Sequence, residues 1–336
     1  MTAAAPVLGA GDVAGYRDDV LRLEAALAGA IVGQGGLVRE LLTAILAGGH
    51  VLLEGLPGLG KTHLVKGLAR VLGQPLARVQ CTPDLLPADI TGSELLAPDG
   101  VPGAHDLVFR PGPIFASLVL VDEINRATAR TQAALLEAMQ EGQVTAGGRA
   151  HPLPSPFWVI ATQNPIEVEG TYPLPEAQLD RFFFKCVVPY PSDAALREIV
   201  DVSLDGEPAD RLPALVTPAR LATLLDAPRA VVIADAVKAA AVRLVLATQP
   251  EAPGANAVAR EHLRYGASPR ALQTLLRAGR VRALADGRGH LALEDLRALA
   301  LPALRHRVLL SLESEVAGVR VDEVVGRIVE EWASGG

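Results

Sequence analysis

Val51-Leu52-Leu53-Glu54-Gly55-Leu56-Pro57-Gly58-Leu59-Gly60-Lys61-Thr62-His63 is the stretch whose reading decides the fold. The apolar opening reads as a strand, and Leu64, Val65, Leu68 and Leu72 then recur on one face of a helix. Between them, Gly55 to Thr62 fits G-x-x-x-x-G-K-[ST]. A plain glycine-rich turn fits the same letters, but the strand before and the helix after give the spacing a purpose. Glycines let successive backbone N–H groups converge on phosphate oxygens, and the helix N-terminus adds its positive dipole end. Lys61 is then placed to reach β and γ phosphates, and Thr62 to offer its hydroxyl to Mg²⁺. The expected nucleotide contacts are Gly55, Pro57, Gly58, Leu59, Gly60, Lys61, Thr62 and His63.

Working outward, helical spacing appears over 17–31 and 36–47, and short apolar runs over 76–81, 118–121, 157–161 and 182–188, with a helix over 128–140. Buried strands alternating with helices predict an α/β core built on a mainly parallel sheet between helices. After Pro189-Tyr190-Pro191 the pattern becomes helical, with expected helices over 229–248, 268–285, 292–300, 303–312 and 320–333. The expected organisation is a flexible leader over 1–16, the nucleotide-binding core over 17–190, a linker over 191–215 and a smaller all-α domain over 216–336.

The 336 residues carry 31 basic and 38 acidic side chains, a net charge of −7, and half of them are hydrophobic. That apolar content raises the question of a membrane span, which needs about 20 apolar residues. The run from Pro111 ends at Asp122, and the stretch 230–247 is broken by Asp235, Lys238 and Arg243. No span is expected. The first sixteen residues hold no base, so they match neither a secretory signal nor an Arg-rich transit peptide. Cys81 and Cys186 form no C-x-x-C and the seven histidines no H-x-x-H or H-x-x-x-H, which argues against a disulfide framework or a metal cluster and for a cytoplasmic setting. An acidic balance with 4% aromatic residues disfavours a nucleic-acid surface.

Two further strand ends carry chemistry. Leu118-Val119-Leu120-Val121-Asp122-Glu123 delivers two carboxylates to the C-terminal edge of a parallel sheet, beside the loop at Gly55. Asp122 suits the Mg²⁺ shell, and Glu123 suits orienting and deprotonating a water. Ala161-Thr162-Gln163-Asn164-Pro165 ends another strand, where Asn164 either bonds the γ-phosphate or its attacking water, or only holds a turn before proline. Arg181 is either an arginine finger supplied across a subunit interface or a surface partner of Asp180. Arg270 opens a helix that Ser268 can cap and Pro269 can begin, from which a cation reaches toward the phosphates.

In this order, the residues resemble an AAA+ ATPase, and longer strings resemble the MoxR family within it. The strings are Thr82 to Pro87, Asp89 to Gly92, Gly112 to Phe115, Asp122 to Ala127, Ala134 to Met139 and Gly170 to Phe182, with looser likeness at Ala267 to Arg270 and Leu304-Arg305-His306-Arg307. The resemblance implies that Lys61 and Thr62 are the Walker A pair, Asp122 and Glu123 the Walker B pair, Asn164 sensor 1, Arg181 the arginine finger and Arg270 sensor 2. It also implies that Gly33 and Gln34 lie near the adenine. Residues 85–112 resemble the insertion of this clade, and 143–156 its hairpin before sensor 1; both commonly face the ring's centre. Cys81 stands where the family usually has an aromatic, and Thr128-Ala129-Arg130 replaces a more usual Pro-Lys-containing run, which bears on the subunit contact at Arg130.

The expected function is thus hydrolysis of ATP with Mg²⁺ in a ring, by family habit a hexamer, to remodel or mature a protein client. The family implies chaperone-like work in metal-cofactor insertion or complex assembly, with a partner bearing a von Willebrand factor A domain. This chain has no D-x-S-x-S motif of its own, so that domain is expected on another chain. Two rival readings use the same core: a nucleic-acid motor or loader, and a nucleotide-gated scaffold with little turnover. The charge disfavours the first, and intact Glu123 and Arg181 the second.

Overall fold

The computed structural model describes residues 8–96, 107–166, 171–203, 208–253 and 255–334. Of the stretch read as a leader, 1–16, residues 1–7 lie outside these. Helix α1 (Ala10–Ala30) nevertheless starts within that stretch and buries Tyr16, Val20, Leu23 and Leu27. It opens on Ala10 and Gly11, which leave no periodic signal, and the Gly9 N–H closes the first turn by donating to the Asp12 carboxylate at 2.9 Å.

Helix α2 (Gly35–Leu46), strand β1 (Val51–Glu54), helix α3 (Lys61–Val71) and strand β2 (Leu76–Gln80) follow. The insertion consists of a short helix α4 (Pro87–Thr91) and an antiparallel hairpin, β3 (Gly92–Leu96) with β4 (Leu107–Pro111); its tip, 97–106, is outside the described residues. Then come β5 (Leu118–Asp122), α5 (Ala129–Glu141), the hairpin β6 (Gln143–Ala146) with β7 (Arg149–Pro152), β8 (Trp158–Gln163), α6 (Glu176–Leu179) and β9 (Phe184–Val187). Thr128 begins α5 by accepting from the Thr131 N–H through its side chain.

Five strands make one parallel sheet in the order β2-β5-β8-β1-β9. Alternation along each strand builds two cores, because successive side chains point to opposite faces. Val51, Leu53, Leu118, Leu120, Trp158 and Ile160 face α1, α2 and α3, whereas Leu52, Val119, Val121, Val159 and Ala161 face Leu135, Leu136 and Met139 of α5. Both faces are buried, which is why these strands read as continuous apolar runs.

The segment read as a linker is not one throughout. It holds helix α7 (Asp193–Ser203), and Ala209 beyond it is 1% exposed. The helices that follow are α8 (Pro218–Asp226), α9 (Asp235–Ala247), α10 (Ala257–His262), α11 (Pro269–Ala285), α12 (Leu293–Leu304), α13 (Leu312–Val316) and α14 (Val321–Ser334). A two-stranded ladder, β10 (Leu263–Tyr265) with β11 (Leu309–Leu310), interrupts the expected helix over 303–312. Helix α12 stops at Leu304 because Arg305, His306 and Arg307 turn their side chains onto core carbonyls. Helix α11 packs against α1 and α2, and α12 against β9. The lid therefore shares one apolar core with the face of the sheet. Among the described residues no helix is long and apolar enough to cross a membrane, and no group of His, Cys, Asp and Glu is placed to hold a metal ion by itself.

Candidate active site

The loop after β1 reaches α3 through Gly58 and Gly60, both at positive φ (79° and 77°), a conformation that side chains resist. Gly60 is the last residue before α3, so Lys61, Thr62 and His63 form its first turn. The Lys61 Nζ donates to the carbonyl of Gly55 and, at 3.0 Å, to that of Leu56. The ammonium is folded onto its own loop. Gly33, at φ 75°, would drive a Cβ to 2.7 Å from that of Ala195 on α7, and the neighbouring Gln34 is buried with its Nε2 donating to the Leu59 carbonyl at 3.3 Å. The turn before α2, the glycine loop and α7 thus meet at one place.

Parallel register sets the remaining groups beside the loop. Glu54 pairs with Gln163, Leu53 with Thr162, and Val121 with Ala161, so Gly55, Asp122, Glu123 and Asn164 emerge at the same edge of three adjacent strands. This is the crevice at strand C-termini, next to a reversal of strand order, where α/β sheets bind ligands. Asp122 is buried, accepting from Thr162 Oγ1 at 3.1 Å and from Arg78 Nε at 2.7 Å. Thr162 in turn accepts from the Glu123 N–H at 2.9 Å, so one hydroxyl spaces both acids.

Glu123 is the one non-glycine with positive φ (56°) among the described residues. Such strain of about 1–3 kcal/mol persists where surroundings over-determine it and clusters at functional sites. Its carboxylate accepts from Gln80 Nε2 at 3.0 Å and from Arg126 at 3.1 Å. Asn164 is 4% exposed, and its Nδ2 has no acceptor among the described residues; its carbonyl takes a long contact, 3.5 Å, from Asn125 Nδ2. A buried amide donor left open at a strand end, beside two carboxylates and a lysine parked on carbonyls, fits a phosphate chain with its cation.

The two arginines do not join this group. Arg181 precedes β9, and the adjacent Phe183 N–H donates to the His50 carbonyl at 2.7 Å, which fixes that segment at the N-terminal edge of the sheet. Arg270, at the start of α11, lies 3.7 Å from Asp180 at the same edge. Both line a cleft of about 260 Å³ with Phe183, Arg277 and Arg307. The four residues of β1 separate this edge from the glycine loop by about 13 Å. The expectation that Arg270 reaches over its own chain's phosphates is therefore corrected: it stands with Arg181. Nor does Arg181 pair with Asp180; its Nε is buried without a partner, and Asp180 is taken by Arg307 at 2.8 Å and by Ser268 at 2.9 and 3.0 Å.

Residues 50–184 match the model of the ATPase family associated with various cellular activities (AAA), and residues 255–328 that of the AAA lid domain. Chaperone MoxR1 of Mycobacterium tuberculosis is 42% identical over 304 residues, covering 90% of this chain and 79% of that one. The chain belongs to the MoxR family of AAA+ ATPases. Protein MoxR of Methylorubrum extorquens is 36% identical over 88% of this chain and 89% of its own. The solved structure of a candidate ATPase from Cytophaga hutchinsonii superposes on this MoxR chain with a TM-score of 0.86 at 35% identity, over 95% of this chain and 96% of the other. AAA membership implies nucleotide binding, generally with Mg²⁺.

Sequence reasoning about this MoxR protein gave no role to Arg78, Gln80, Thr162 or Arg307, and offered Asp180 only as a surface partner of Arg181. For Gln80 and Thr162 a signal existed, since each sits on a strand one register step from an acid: Gln80 opposite Asp122, and Thr162 one residue past the Val121 partner. Asp180 and Arg307 are 127 residues apart and carry no local pattern.

Proposed function

We propose that this chain hydrolyses ATP at sites completed by a neighbouring copy in a ring, and uses the resulting motion to remodel a protein client. The observation that carries the reading is the separation just described. Loop, acids and amide stand at one edge of the sheet and two incompletely paired arginines at the other, so one copy presents a nucleotide pocket and the next the cations it lacks.

Backbone N–H groups of 58–60 and the Lys61 ammonium bind the phosphates, with Gly33, Gln34 and Ala195 around the base. Thr62 and Asp122 would hold Mg²⁺, which supplies charge neutralisation across phosphate oxygens. Glu123 takes a proton from the attacking water once its carboxylate leaves Gln80 and Arg126. Asn164 Nδ2 orients that water or the γ-phosphate. Arg181 and Arg270 of one copy offset the charge that develops on the nucleotide of the next, an effect worth about 10³ to 10⁵ in rate for such a finger. Six copies, a client matured in the cytoplasm with metal-cofactor insertion or complex assembly as its outcome, and a von Willebrand factor A partner on another chain complete the proposal. The support for these is family likeness, with one of the relatives named a chaperone.

The test mixes two inactive variants. Glu123→Gln should bind ATP and stall, and Arg181→Ala should lose about 10³-fold in turnover. Mixed rings should regain hydrolysis, because each Arg181→Ala site can meet an intact finger. Assembled mixed rings without recovery would remove the shared site.

A further inference from the structure

Three consecutive lid residues grip the segment that carries Arg181. Arg305 donates to the Lys185 carbonyl at 3.4 Å, His306 Nε2 to that of Phe182 at 3.0 Å, and Arg307 enters deepest, with its side chain 2% exposed. The Arg307 guanidinium donates to the Asp180 carboxylate (2.8 Å), to the carbonyls of Asp180 (3.3 Å), Phe182 (2.7 Å) and Phe183 (3.1 Å) in the core, and to Ala303 and Thr274 in the lid. Arginine has five N–H donors in a rigid fork, and all are engaged here. Arg307 therefore has nothing left for a phosphate.

Its two neighbours in the cleft differ. Arg181 Nε is buried with no acceptor, and Arg270 touches Asp180 only at 3.7 Å. Asp180 is the shared point: it takes Arg307 firmly, Arg270 loosely, and the Ser268 hydroxyl that begins the helix bearing Arg270. The chain on both sides of Arg181 is thus tied to the lid, while Arg181 itself is left open.

We propose that Arg307, acting through Asp180, is a positioning residue that fixes Arg181 and Arg270 at a set spacing and makes finger and lid move as one body. This rests on the reading of Arg181 as serving a neighbour's nucleotide. A shift of this body within the ring then carries both cations toward or away from the next site together, at the spacing the Arg307 fork sets.

The predictive variant is Arg307→Lys, which keeps the charge but offers three donors without the fork. Its rings should lose about 10²-fold in kcat, the scale of a misplaced catalytic group, with the KM for ATP unchanged because the glycine loop is untouched. Mixed with Glu123→Gln subunits, Arg307→Lys subunits should recover turnover, since their own sites then meet a correctly held finger. Wild-type kcat in Arg307→Lys rings overturns the proposal. Recovery in Arg181→Ala mixtures but not in Arg307→Lys mixtures also overturns it, placing Arg307's effect in its own subunit. No recovery in either removes the shared-site reading beneath it. Should Arg307→Lys fail to fold by thermal melting, Asp180→Asn, which keeps size and removes the charge, is scored by the same outcomes.

Discussion

The two edges of the sheet are built on different principles. At the C-terminal edge, the side chains for chemistry are carried by strand ends and one loop, and register alone brings Gly55, Asp122, Glu123 and Asn164 together. At the N-terminal edge, Arg181 and Arg270 come from unrelated parts of the chain and are brought together by a lid side chain buried at their base. The first edge is preformed by sheet hydrogen bonding, whereas the second is only as well placed as the lid. In the proposed ring, the edge that would hold nucleotide is set by the sheet, and the edge that would answer a neighbour is set by the sheet and the lid together.

The comparison breaks most severely at Lys61. Lys61→Ala should abolish ATP binding in a titration with a fluorescent analogue while leaving the cation edge and assembly intact; unaltered affinity would take Lys61 out of the phosphate site.

A second, smaller effect distinguishes the edges by pH. His50 lines the arginine cleft, and burial pushes its pKa down to about 4. Its Nδ1 accepts from the Val159 N–H at 2.9 Å and its Nε2 lies 3.2 Å from the Met139 carbonyl, so the neutral ring is the one that fits. The unfolded chain takes up this proton near pH 6.5 and the folded one only near 4, so this contribution is full above about pH 6.5 and is lost as pH falls toward 4. Between pH 7 and 5 it should cost about 2 kcal/mol, read from urea midpoints. His50→Gln should flatten that slope; an unchanged slope would assign it elsewhere, with buried His306, also shifted down by burial, the next group to test.

The smallest effect is expected at Asn164. Removing one open donor, Asn164→Ala should lower kcat by about tenfold with ATP affinity kept. Equal losses in affinity and rate would make Asn164 a ground-state contact instead.

The C-terminal edge was legible because each of its parts announces itself locally: a glycine loop between strand and helix, acids after an apolar run, an amide after another. The strands were readable for the same reason, being buried on both faces. The other edge was not legible. Ser268-Pro269-Arg270 showed a helix start, but nothing in those letters says which end of the sheet it meets, and Asp180 looked like a partner for Arg181 because it stands next to it. Helix α7 is absent from the sequence reading, although Leu196, Ile199 and Val200 stand at helical spacing, because the prolines and glycines on either side mark the stretch as a linker; alanine and glycine blur the period in the first turns of α1, and 303–312 reads as helix because the pull of core carbonyls on Arg305, His306 and Arg307 is invisible without the fold.

The shared core has a consequence for dissecting the molecule. Ala271, Leu275 and Ala278 of α11 belong to the same buried cluster as Tyr16, Val20, Leu23 and Leu41 of α1 and α2. A fragment cut after Pro191 would keep Gly55, Lys61, Asp122, Glu123 and Asn164, lose Ala195 beside Gly33, and turn that greasy seam toward water. The lid is a structural wall of the molecule, and a working half cannot be had by scissors.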